Sequence, residues 1–353
     1  MAVLVSGTVK DYPWGMIDGV VPWTGRSTGR PQAELWFGVH PSGPSPLLDG
    51  GSASDVLTGD EAPLLVKILA ASHPLSIQVH PDAPHAAAGF AQQPPGGTIY
   101  SDDAEKNEML VAMSQFQVLA GWREPREAAR ILAALGYAGD VCRAAAAGRW
   151  VEVAATAITH KPGPGPWDPG RVRAALPAEE SAAATALGEL AAEYPHDPGV
   201  GVAALLRYYV LEPGQGLYVP AGVPHAYLRG VGLEVMTSSD NVLRLGLTTK
   251  EVAIQDALDA LRPDRHPTLL VDPAQGGAPE APFTVRLQRG VAEQMAAGRY
   301  RVVVAVDGPV EVELAGRARP LAIGQALLIP AADPDATVRS DAMVALVVGK
   351  PPG

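Results

Sequence analysis

Apolar residues fall into two textures along this chain, and the change between them divides it. From Val3 to about Phe116, short apolar runs such as Leu64-Leu65-Val66-Lys67-Ile68-Leu69 are broken by Gly, Pro, Ser and Asp, which predicts β-strands with long loops. Between about Glu124 and Tyr194 helix formers dominate. Segments 126–135 and 179–190 keep apolar residues on one face and are separated by the breaker Lys161-Pro-Gly-Pro-Gly-Pro166, so a helical insertion is expected there. Strands resume near Leu205 and run through Leu247. Residues Thr248–Leu261 predict one more helix, and a final all-β segment runs from about Pro282 to Val348. Strict alternation marks Ser76-Ile77-Gln78-Val79-His80, placing Gln78 and His80 on one face of a strand with Ser76, and Ile77 and Val79 on the other.

The two later β segments contain an internal repeat. Pro213-Gly-Gln-Gly-Leu-Tyr-Val-Pro-Ala-Gly-Val-Pro-His-Ala-Tyr227 aligns without a gap on Ile323-Gly-Gln-Ala-Leu-Leu-Ile-Pro-Ala-Ala-Asp-Pro-Asp-Ala-Thr337. The form resembles a cupin half-motif, in which a turn, a buried strand and a second turn aim a histidine into a jelly roll. The expected fold is therefore mainly β with a helical insertion: two cupin-type jelly-roll β-barrel lobes plus an α-helical domain. Residues 1–120 form an N-terminal β region of the catalytic lobe and 121–200 the insertion. The rest of the catalytic lobe and its helix occupy 201–262, and a C-terminal β lobe occupies 263–353. Asp335 replaces the histidine in the second copy, so that lobe is expected to be metal-free and structural.

Composition narrows the classes. At 353 residues and 47% hydrophobic the chain can bury a substantial core in two or three lobes. A net charge of −11 argues against a nucleic-acid surface and requires a local basic cluster for any anionic ligand. The single cysteine, Cys142, excludes a disulfide framework within one chain, and no stretch resembles a signal peptide or approaches the ~20 apolar residues that span a bilayer. A cytoplasmic protein is expected, with a small-molecule ligand and no membrane, nucleic-acid or obligatory protein partner.

Of the eight histidines, His80 and His225 sit where strand and turn geometry aim them into a barrel. His40, His73, His85, His160, His196 and His266 lie beside prolines in loops and connectors, where solvated or capping roles fit better. Glu108, at the entrance to an apolar strand, is the best-placed carboxylate. Two imidazoles, one carboxylate and the Gln78 amide oxygen suit zinc or a similar divalent ion, leaving room for water or substrate and a net positive site that favours a developing oxyanion.

Further blocks carry a closer resemblance. Tyr12-Pro-Trp-Gly15, Ala33-Glu-Leu-Trp-Phe-Gly-Val-His-Pro41, Leu75–Asp82, Lys106-Asn-Glu-Met109, Pro220–Leu228 and Ser238-Ser-Asp-Asn-Val-Leu-Arg-Leu-Gly-Leu-Thr248 keep the order found in the type I phosphomannose isomerases of the cupin superfamily, which the chain resembles over its first 250 residues or so. The resemblance implies one Zn2+ per chain on Gln78, His80, Glu108 and His225. It also implies a sugar-phosphate pocket lined by Ser76, Lys67, Lys106, Glu234 and Arg244. The family commonly reads Asn-His-Lys-Pro-Glu where this chain has Ala104-Glu-Lys-Asn-Glu108, which leaves open how that loop is kept rigid.

Such an enzyme moves one proton between adjacent carbons and one between their oxygens, through an enediol. Lys67 and Arg244 are expected to clamp the phosphate, with the Ser76 hydroxyl donating. Lys106 and Glu234 compete for the role of base. Trp36 reads as core or barrel wall, and Glu34 acquires no role from the sequence. Two other classes fit parts of the pattern: a cupin iron-dependent oxygenase, which two His and a carboxylate also suit, and a non-catalytic sugar-phosphate sensor.

Overall fold

The computed structural model describes residues 1–250, 252–273 and 277–350. The fold is mixed α/β: two antiparallel sheets and a helical region, with one of the sheets forming a near-closed barrel. That barrel has seven strands, ordered Val3–Ser6, Gln325–Ile329, Arg301–Ala305, Ala336–Gly349, Val310–Leu314 and Arg317–Leu321, with Phe283–Met295 also paired to Ala336–Gly349. The other sheet has eleven strands and branches. Its long strand His225–Thr237 pairs first with Ile77–Val79 and Phe116–Trp122. Past a bulge between Tyr227 and Arg229, and Gly230 at φ 139°, it pairs instead with Leu64–Ala71 and Glu108–Ala112. A strand that crosses between two layers in this way links them without closing a second barrel.

Side-chain alternation decides what each face of the eleven-stranded sheet meets. Val66, Ile68, Met109, Val111, Leu233 and Val235 face the seven-stranded sheet and pack on Phe283, Val285, Val302, Val304 and Val347. Their neighbours Lys67, Glu108 and Glu234 consequently face the opposite way, toward a cavity. Ile77 and Val79 join the helical region's core with Ile131, Leu132, Leu135 and Leu187, and Gln78 between them is turned to the cavity. Burial of each such aliphatic side chain contributes about 1.5–3 kcal/mol. The helices thus hold one of the cavity strands in place from behind.

The helical insertion comprises Pro125–Leu135, Gly139–Ala146, Trp150–Thr159, Pro169–Ala175, Ser181–Glu193 and Gly199–Ala203, and the Pro-Gly breaker falls between the third and fourth of these. Three local expectations are corrected. Ala83–Gln92 is helical within the region expected to be strand and loop, because Asp82 caps it by accepting from His85 N at 3.2 Å and Pro84 suits a first helical turn. The helix expected from Thr248 begins only at Ile254. Thr248 N donates to Asp197 Oδ2 (3.0 Å) and Thr248 Oγ1 accepts from Lys250 N (3.1 Å), local bonds that compete with helix formation. Glu251, within that expected helix, lies outside the described residues. Finally, Val3–Ser6 belongs to the C-terminal sheet and not to the sheet of the other early strands.

The two copies of the repeat share turn geometry. Gly214 and Gly324 have φ of 91° and 76°. Gln215 and Gln325 each accept from the backbone three residues earlier, from Glu212 N at 2.9 Å and Ala322 N at 2.8 Å. Where the first copy has His225, Asp335 accepts from Ala297 N and Gln294 Nε2, both at 2.8 Å, and so ties its turn to the end of strand Phe283–Met295. Among the described residues no helix is long and apolar enough to cross a membrane.

Candidate metal centre

Adjacent strands bring the sequence-predicted ligands together. Gln78 stands opposite His225 on one side and Arg244 on the other, while Glu108 enters from the next layer opposite Met236. The Glu108 carboxylate lies between two rings, with Oε2 3.1 Å from His80 Nε2 and Oε1 2.7 Å from His225 Nε2. All three residues are buried, and one ligand atom from each lies within 4.8 Å of the others. Tyr227 Oη donates to Glu108 Oε1 at 3.1 Å, and Lys106 Nζ is 3.6 Å from Oε2.

The other nitrogen of each ring determines what the site can hold. His80 Nδ1 is 2.7 Å from Asn241 O, and His225 Nδ1 is 3.0 Å from Val223 O. A carbonyl only accepts, so each Nδ1 carries a proton and each ring turns its Nε2 toward Glu108. Burial, then Lys106, pulls the His80 pKa down to about 3 against the opposing pull of Glu108, so this ring is neutral at physiological pH. Burial would lift the Glu108 carboxyl, but His225, His80 and Lys106 overcome it and hold it well below the usual carboxylate range. The neutral His80 ring therefore turns its Nε2 lone pair toward an anion across hydrogen-bonding distance. A divalent cation turns that repulsion into coordination, and two imidazoles with a carboxylate are a donor set that zinc accepts.

Gln78 Nε2 is 3.5 Å from Ser76 Oγ, an orientation that leaves Oε1 as the free donor on the cavity side. The cavity, of about 380 Å3, is also lined by Glu34, Lys67, Lys106, Glu234 and Arg244. A second cavity of about 530 Å3 shares Gln78 and Arg244 with it and adds Ser76, Thr248 and Thr249. Ser76 thus lies in the adjoining chamber, next to the metal residues. Lys250 lines both chambers and was not among the residues singled out from sequence, because the expected helix absorbed it. Arg244 has no carboxylate partner among the described residues. Asp240, four residues before it, is engaged with Ser42 Oγ (2.9 Å) and His40 Nε2 (3.4 Å). Burial lowers the Arg244 pKa from its ordinary value, though a guanidinium stays charged.

Lys67 is differently placed. Its ammonium is buried 2.9 Å from Glu234 Oε2 and 3.7 Å from Glu34 Oε1, and Glu34 Oε2 accepts from Trp36 Nε1 at 2.8 Å. Burial disfavours the charge on Lys67, but Glu234 and Glu34 outweigh it and raise its pKa. Burial raises the Glu234 carboxyl, Lys67 opposes, and Glu108 and Glu34 add to the rise. Lys67 is thus matched by two carboxylates, and Glu34 acquires a role the sequence did not suggest. Lys67→Met would leave both carboxylates buried without a counter-charge, an expected loss of about 3–5 kcal/mol at neutral pH. The Glu234 carboxyl, already raised by burial, then loses the cation that opposes the rise. The deficit should shrink as pH falls from the raised Glu234 range through the ordinary carboxylate range, where folded and unfolded chains are both protonated. Urea denaturation at neutral and acid pH measures it, and a pH-independent deficit would contradict the assignment.

Asn241 supplies the rigidity of the segment leading to Lys106. Its side chain accepts from Ser101 N at 2.9 Å and donates to Asp102 O and Ala104 O at 2.9 Å, while its carbonyl holds His80.

Known proteins resemble this chain. Residues 3–125 match the model for the catalytic domain of phosphomannose isomerase type I. The chain is 28% identical to mannose-6-phosphate isomerase of Escherichia coli (strain K12) over 97% of its own length and 98% of the relative's. It is 32% identical to mannose-6-phosphate isomerase 1 of Arabidopsis thaliana over 70% of this chain and 68% of that one. A solved mutant of phosphomannose isomerase from Salmonella typhimurium superposes with a TM-score of 0.80 at 25% identity, covering 99% of each chain.

Proposed function

Because the chain belongs to the type I phosphomannose isomerases, we propose that it is a zinc-dependent aldose–ketose isomerase interconverting mannose 6-phosphate and fructose 6-phosphate through an enediol. The observation that carries this reading is the Glu108 carboxylate between the Nε2 atoms of His80 and His225, each ring fixed by a carbonyl behind it. Gln78, His80, Glu108 and His225 hold one Zn2+. Bound there, zinc supplies Lewis-acid stabilisation of the negative charge that develops on substrate oxygen.

The chain's own residues do the rest. Arg244 and Lys250, both cations on the cavity wall, hold the phosphate with the Ser76 hydroxyl, and they supply the local positive charge that a −11 chain otherwise lacks. Lys67 is retained as a substrate-pocket residue, acting through the carboxylates it pairs. The raised Glu234 carboxyl is suited to take the carbon-bound proton and return it to the neighbouring carbon. Lys106 serves the oxygen-bound proton. We also read the two sheets as the two cupin-type lobes, with the insertion at 121–200, the catalytic lobe in 1–120 and 201–262 and the remaining lobe in 263–353, Val3–Ser6 and Thr268–Leu270 each pairing into the other lobe's sheet. The matched turns of the repeat support this reading.

A coupled assay of mannose 6-phosphate conversion, run before and after chelation and again after zinc restoration, tests the proposal. Activity should disappear with the chelator and return with zinc. Conversion that survives chelation, or no conversion at all, would sink it.

A further inference from the structure

Lys106 and Glu108 face the cavity, and Asn107 between them is turned to the other side of the chain. Asn107 is buried, and both polar atoms of its side chain are engaged. Oδ1 accepts from Tyr218 Oη and from Ala221 N, each at 3.1 Å, and Nδ2 donates to Glu105 Oε1 at 2.9 Å. Its backbone is tied to Thr237, N donating to Oγ1 at 3.0 Å and O accepting from N at 3.1 Å.

Ala221 belongs to the turn that delivers His225. The next residue of that turn, Gly222, donates its N–H to His80 O at 2.8 Å. One amide oxygen therefore joins the strand bearing Glu108 to the turn serving the two histidines. Behind it lies a cavity of about 410 Å3, lined by Glu105, Asn107, Tyr218, Arg265 and His266. Arg265 Nη1 donates to Ala221 O and Arg262 N to Gly222 O, each at 2.9 Å, so hydrogen bonds hold the turn on that side too, and Asn107 is the one that ties it to the strand of Glu108.

We propose that Asn107 is a positioning residue whose amide fixes the separation of Glu108 from His225 and thereby sets the affinity of the centre for zinc. This rests on the metal reading given under Proposed function. Metal ligands must be placed within a few tenths of an ångström, so a turn released by even a small amount loses affinity. Asn107→Leu keeps the shape and leaves Ala221 N–H and the Tyr218 hydroxyl unpaired. Tyr218→Phe removes one of the two bonds. Val303→Ala, in the core of the seven-stranded sheet, destabilises the protein away from the site.

Full-length protein stripped of metal is titrated with zinc in competition with a chromophoric chelator, and the melting temperature of each stripped variant is recorded. Asn107→Leu is expected to bind zinc about 10-fold more weakly than wild type, the low end of the effect of losing a direct outer partner of a ligand, because Asn107 acts through the turn and not on a ligand itself. Tyr218→Phe should show a smaller loss and Val303→Ala none, although its melting temperature falls. Zinc affinity equal to wild type in Asn107→Leu overturns the proposal, as does an equal loss in Val303→Ala at matched melting temperature. Should Asn107→Leu fail to fold, undiminished affinity in Tyr218→Phe overturns it. Wild-type protein that binds no zinc would refute the metal reading and this proposal together, whereas normal wild-type binding with an unaffected Asn107→Leu refutes this proposal alone.

Discussion

Arg244→Ala should lose turnover by at least about 100- to 1,000-fold while its zinc content stays near wild type. The expectation rests on two observations. Arg244 stands opposite Gln78 in the sheet, which puts its side chain on the cavity wall at the junction of the two chambers. It also lacks a carboxylate partner among the described residues, so its charge is available to a ligand. An arginine that only tied the fold together would give a different signature, with a lowered melting temperature and modest kinetics. None of the atoms facing Glu108 belongs to it, so the metal should remain. Steady-state kinetics alongside elemental analysis of the purified variant decide the matter, and full activity would remove Arg244 from the mechanism.

His225→Ala, and likewise Gln78→Ala, should behave in the opposite order, losing metal first and activity as a consequence. Outer partners of metal ligands typically carry about 10- to 100-fold in affinity, and loss of a direct ligand should exceed that. His225 approaches Glu108 more closely than His80 does, 2.7 Å against 3.1 Å, and its ring is held from behind by Val223 O. Its removal leaves one imidazole and one carboxylate as the charged or strongly basic donors. Elemental analysis after dialysis measures the outcome, and full zinc occupancy in either variant would refute the ligand assignment. Together with Arg244→Ala, the pair separates holding the metal from using it.

Much of the centre was legible in the sequence because β-strand alternation is local. Gln78 between Ile77 and Val79, Glu234 between Leu233 and Val235, and Lys67 between Val66 and Ile68 each face the cavity as a period of two requires. The proline-and-glycine turn before His225 was readable for the same reason. What escaped was decided by residues far apart in the chain. Lys67 looked like a free cation for phosphate, but Glu34 and Glu234 arrive from two other strands and match it. The group that fixes the His80 tautomer is a backbone carbonyl, which carries no side-chain signature. Lys250 was obscured by threonines whose local bonds delay the helix. The second barrel was inferred from a repeat of turns, whereas closure depends on how a long strand shares its partners.

The pairing of Val3–Ser6 with Gln325–Ile329 bears on the order in which the molecule is assembled. During synthesis the first of these strands must wait, unpaired, until more than three hundred further residues have been added before its partner exists. Such distant pairings close late and slowly. During that interval Val3 and Val5 lack part of the core that buries them, since it includes Val302, Val304, Leu328 and Val347 as well as the earlier Leu35, Phe37 and Val66. The catalytic sheet can gather its own strands earlier, but its back face stays bare until the last segment docks, which makes the nascent chain vulnerable to aggregation over most of its synthesis.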